Sequence, residues 1–227
     1  MCSSLHTWAN RVFQSSARNN PEWASQRTLS LMITPVTHEL LSRIRIRDCS
    51  ATSTPPQDPR EVQEAHNRAE GMLTDAISLS NNPNQAVITA ANVFFKITVP
   101  SSTFRERQLW DRVLRNLDRM VPPYNLTYQC GPQSGRLCSS GATAWTVLRI
   151  HLCHPWWTNH SQVNHRAAIL IHEWVHASGI MWSRRRDIYC WDSTYATLSP
   201  RQRVDLPDAY MQYIYRLYTG GDFCPTP

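Results

Sequence analysis

Lysine is almost missing: Lys96 is the only one among 23 basic residues, so arginine carries nearly all of the +6 net charge. The arginines are scattered and few aromatics interleave with them, which argues against a nucleic-acid face. No apolar run approaches the roughly 18 residues that a bilayer-crossing helix needs. Residues 1–20, with Trp8, Arg11, Arg18, Asn19 and Asn20, lack the apolar core of a signal peptide. No C-x-x-C pair occurs, so a structural zinc site built on cysteines is not indicated. Glutamate ends at Glu173, and no internal repeat or low-complexity tract occurs. The exclusions leave a water-facing, arginine-rich chain without a membrane span.

Seven cysteines are present, with two glycosylation sequons, Asn125-Leu126-Thr127 and Asn159-His160-Ser161. Both features point to an oxidising, extracellular setting. The expectation is a secreted protein whose signal segment was removed or omitted. Cys130 and Cys138 bracket turn-forming residues and could pair directly, but spacing alone does not choose among connectivities. His154, His160 and His165 match no metal-ligand template and read as loop and surface residues.

At 227 residues the chain suits one main domain with an extension. Residues 1–48 read as an N-terminal extension or prosegment remnant, and residues 49–227 as the domain. In the extension, Arg43 to Arg47 alternates as an edge strand would. Ser53 to Pro59 reads as a linker. A helix is expected from Pro59 to about Leu79, with Val62, Ala65, Ala69, Met72, Ala76 and Leu79 on one stripe. Two more helices follow, about 84–97 and 102–120. Tyr124 to Cys153 reads as a β-hairpin whose second strand, Thr143 to Leu152, is the candidate substrate edge. A helix over 164–178 comes next. Ser199 caps a further helix with Pro200 at its first position, and Pro207 restarts or kinks it. The pattern is α+β, mostly helical with a small antiparallel sheet.

The stretch that carries chemistry is His172-Glu173-Trp174-Val175-His176. On a helix its two imidazoles share one face, so both can reach one zinc ion. Glu173 sits beside that ion without ligating it, where a general base for a metal-activated water belongs. A catalytic zinc needs a third protein ligand and an open position. Trp182 stands where one common pattern places a third histidine, and no glutamate follows Glu173. Cys190, Cys224, Asp187, Asp192, Asp205, Asp208 and Asp222 remain. Gly179 allows the chain to turn back over the metal, and Asp187 and Asp192 both follow closely enough to return.

The segment from His172 to Tyr213 resembles the active-site region of the deuterolysin-type zinc metalloendopeptidases, the aspzincins, including their lysine-specific branch. These carry HExxH, a Gly-Thr-x-Asp-x-x-Tyr-Gly segment bearing the third ligand, and an Asn-Ala-Asp-Ser-Tyr segment. The resemblance puts the ligand aspartate on Asp187 and the later pair on Asp208 and Tyr210, as substrate-binding positions. Cys130, Cys138 and Ala144-Trp145-Thr146 are similar to the family's cysteine-bounded hairpin. The resemblance implies the pairings Cys49 with Cys130 and Cys138 with Cys153, leaving Cys190 with Cys224 and Cys2 unpaired.

The chain departs from the pattern in two places. Arg184 and Arg185 replace Gly-Thr, and Cys190 replaces the tyrosine that stabilises the transition state. Tyr189 or Tyr195 could supply that hydroxyl, and a shifted frame would make Asp192 the ligand. Arg186 completes an arginine run that reads as a solvated loop or a partner for Asp187 and acidic substrates. The resemblance implies a zinc endopeptidase with one catalytic Zn2+, protein or peptide substrates, and neither nucleic-acid nor membrane partners. The alternative is a catalytically impaired zinc-binding effector that keeps the fold. Nothing in the sequence fixes the oligomeric state.

Overall fold

Asp58 opens the first helix: its side chain accepts a hydrogen bond from Arg60 N, and Pro59 occupies the first turn, where a missing N–H costs nothing. That helix, α1, spans Pro59–Asn81 and buries Val62, Ala65, Ala69, Met72 and Ala76 of the expected stripe, while Leu79 is only partly buried. It also buries His66 and Ser80. The computed structural model describes residues 44–120, 126–131, 138, 142–180 and 187–225. Residues 1–43, the Asn125 sequon position, Trp182 and Arg184 to Arg186 lie outside that set, and with them most of the expected extension.

Helix α2 (Gln85–Phe95) is capped by Asn84, whose Oδ1 accepts from Ala86 N and Val87 N. Helix α3 (Phe104–Arg119) starts at Thr103 and turns Trp110, Val113 and Leu117 inward. A short helix, α4 (His154–Thr158), precedes α5 (Val163–Ala177). Helix α6 (Pro200–Arg203) has a reciprocal capping box between Ser199 and Gln202. Helix α7 (Pro207–Thr219) begins afresh at Pro207 and stops at Gly220, whose φ of 77° supplies the left-handed cap. Helix α5 packs against both α1 and α7, which also touch each other, with strand β3 (Ala144–Thr146) along its flank. From Arg166 to Val175 it is buried on every side, and that burial holds the HExxH residues still.

The other strands are β1 (Arg45–Arg47), β2 (Thr127–Gln129) and β4 (Ile150–Leu152). Their order is β1-β2-β4-β3, with β1, β2 and β4 parallel and β3 antiparallel to β4. The sheet is therefore mixed, not wholly antiparallel. The expected strand from Thr143 to Leu152 is two strands, because the chain reverses at Val147 to Arg149, where Val147 N donates to Arg149 O. The reversal lacks Gly, Pro or Asn, so nothing in its composition announces it. Strand β1 pairs with β2, so the packed unit begins before Cys49. As expected of an alternating arginine segment, β1 is an outer strand of the sheet among the described residues.

Three disulfides join Cys49 to Cys130, Cys138 to Cys153 and Cys190 to Cys224. Among the described residues no helix is long and apolar enough to cross a membrane. His160 is buried and stacks edge-on to Phe223, against the expectation of a surface residue. His165 lies flat on the same ring.

Candidate metal centre

Helix α5 delivers His172 and His176 to one face, one turn apart, with their Nε2 atoms 3.1 Å from each other. The helix then ends in a Schellman turn. Gly179 N donates to His176 O and Ile180 N to Val175 O, with Gly179 at φ 62°. After the turn the chain returns, and Asp187 Oδ2 comes within 3.4 Å of His176 Nε2. One donor atom from each of His172, His176 and Asp187 lies within 4.8 Å of the others, the arrangement a small cation needs.

Asp208 orients this group from α7. Its Oδ1 lies 2.7 Å from His172 Nδ1 and its Oδ2 accepts from Cys190 N at 2.6 Å. A carboxylate on Nδ1 fixes which ring nitrogen keeps its proton, so Nε2 is the atom that His172 would offer to a metal in exchange for its proton. Burial alone would lower the His172 imidazole. The hydrogen bond and charge of Asp208, helped by Glu173 and Asp187, instead push it up to about 9. Burial would raise Asp187, yet the His176 hydrogen bond and the charges of His176 and His172 hold its carboxyl below the ordinary value. Asp187 Oδ1 is buried without a hydrogen-bond partner among the described residues. Two imidazole nitrogens facing each other beside an unsatisfied carboxylate oxygen are a donor set that suits zinc.

Glu173 is 4% exposed and its Oε2 accepts from Thr146 Oγ1 at 2.7 Å. Thr146 belongs to β3, at the sheet edge, so the strand flanking α5 also holds the carboxylate. The sequence named Thr146 only as part of the hairpin and gave it no link to Glu173: its partner lies 27 residues away, and only the packing of β3 on α5 joins them.

The aromatic candidates separate. Tyr189 stacks parallel to His172, with ring centroids 5.9 Å apart at 12°. Tyr195 is buried, with its hydroxyl taken by Gln212 Nε2 and its ring beneath the Arg203 guanidinium. Asp192 serves the loop instead of the ligand group: its Oδ2 accepts from Tyr189 N, and its backbone continues the turn. Cys190 is bonded to Cys224 and has no thiolate to offer. Tyr210 does not reach the site. It is fully buried, donates to Val204 O and accepts from Asn116 Nδ2. Asp208, 1% exposed, is turned to His172 and to Cys190 N.

No family model matches the chain, and no curated protein matches it. Among solved structures, a zinc peptidase from Grifola frondosa shares the fold, with a TM-score of 0.54 and 14% identity. The match covers 70% of this chain and 95% of the peptidase chain. The mixed α+β architecture, mostly helical with a small four-stranded sheet, is thus a fold shared with that zinc peptidase.

Proposed function

We propose that this chain is a secreted zinc endopeptidase of the deuterolysin type, with His172, His176 and Asp187 as ligands and Glu173 as general base. The observation that carries the reading is the convergence of three ligand atoms beside a buried, oriented carboxylate. Bound zinc would supply Lewis-acid polarisation of the scissile carbonyl and would make a water more acidic. Glu173 takes that water's proton and later delivers it to the leaving amine. Thr146 holds the Glu173 carboxylate, while Asp208 keeps His172 in the ligating tautomer. Tyr189, beside His172, is the better placed phenol for a developing oxyanion, worth a few kcal/mol if it reaches it. Strand β3 is the outermost strand of the sheet among the described residues, and its outer edge would receive an extended peptide. Three disulfides support export to an oxidising compartment.

The deciding experiment compares the wild-type protein with Glu173→Gln after zinc loading. Both should hold one zinc, and only the wild type should cleave casein in a chelator-sensitive way. Cleavage by Glu173→Gln at the wild-type rate removes Glu173 from the mechanism.

A further inference from the structure

Four large hydrophobic residues are well exposed among the described residues, and three of them adjoin the candidate site in the chain. Val147 and Leu148 follow Thr146, which bonds Glu173. Trp191 follows Cys190, whose N–H is held by Asp208. Trp191 stacks on Tyr189 with ring centroids 4.4 Å apart at 6°, and Tyr189 in turn stacks on His172. The three rings form a near-parallel column that starts at a candidate ligand and ends in an indole that is 36% exposed.

The column is held from several directions. Cys190 is tied to Cys224, Asp192 closes the turn on Tyr189 N, and Tyr195 N bonds Asp192 O. An indole fixed this firmly loses little freedom when a ligand covers its outer face. Leaving so large an apolar surface in water beside a site costs free energy that a recognition role explains.

We infer that Trp191, backed by Tyr189, is a substrate subsite that takes an aromatic or large apolar side chain of a peptide bound at the zinc site. This rests on the peptidase reading above and specifies what that site selects. A cationic side chain is the other natural occupant of an indole face.

The test uses zinc-loaded, full-length Glu173→Gln protein, so that binding is read without turnover. Three labelled peptides identical except for Phe, Ala or Arg at one position, walked along both sides of the candidate bond, are titrated by fluorescence anisotropy. At one position the Phe peptide should bind about tenfold tighter than the Ala peptide, the size expected for one aromatic stack plus its buried area. In Trp191→Ala that ratio should fall toward one, and in Trp191→Phe it should persist in part. Zinc content measured on each variant shows that the site is still assembled. An unchanged Phe-to-Ala ratio in Trp191→Ala, or a preference for Arg, overturns the subsite and leaves the peptidase reading standing. Zinc-loaded wild-type protein that neither binds nor cleaves any peptide overturns both.

Discussion

At the scale of single residues, the site depends on which carboxylate faces which nitrogen. Asp187 and Asp192 are five positions apart and chemically identical, but only Asp187 approaches the imidazole pair, while Asp192 is spent on Tyr189 N. Asp187→Ala should therefore abolish retained zinc, and Asp192→Ala should keep it; metal analysis after gel filtration reads the difference. Asp208→Asn leaves the ligand set intact but removes the charge behind His172. Its zinc affinity should drop about 10- to 100-fold in a competition titration with a chelator. Retention of wild-type affinity would deny Asp208 its orienting part. Two of these roles were open to a reader of the sequence. HExxH fixes its own geometry because a helix repeats every 3.6 residues, whereas the choice between two aspartates in a loop depends on hydrogen bonds that no period encodes.

At the scale of elements, helices α1, α2, α3 and α5 lie within a few residues of their expected ranges, since the recurrence of apolar residues along a helix is a local signal. The sheet was less legible. Strands of three residues carry too little alternation to read, and the bend at Val147 to Arg149 uses ordinary residues. Arg203 was hidden for another reason: a lone arginine in a basic chain attracts no notice. In the fold it is 4% exposed and donates to Val93 O, Phe94 O and Tyr195 O. It thereby satisfies the carbonyls at the end of α2 and complements that helix's negative pole. Arg203→Leu should leave those acceptors unpaired and cost about 3 kcal/mol in urea unfolding. A loss below about 0.5 kcal/mol would mean that water replaces the guanidinium without penalty.

At the scale of the whole molecule, stability should respond to acid through a residue remote from the HExxH motif. Burial, followed by the charges of His165 and Arg166, lowers His160 to about 4. Its neutral form is thus the one that folding accepts. The stabilisation is complete above the unfolded value near 6.5 and declines as pH falls from there toward about 4, because the unfolded chain then binds a proton that the folded one refuses. Thermal melts of the metal-free protein between pH 7 and pH 4 should show that decline, and His160→Phe should flatten it. An identical pH slope in the variant would assign the acid sensitivity elsewhere.

The bridge from Cys190 to Cys224 fastens the segment bearing Asp187 to the chain's far end, and Asp208 grips the same segment from α7. Under reducing conditions that fastening opens, and the third candidate ligand rides on a strap secured on one side only.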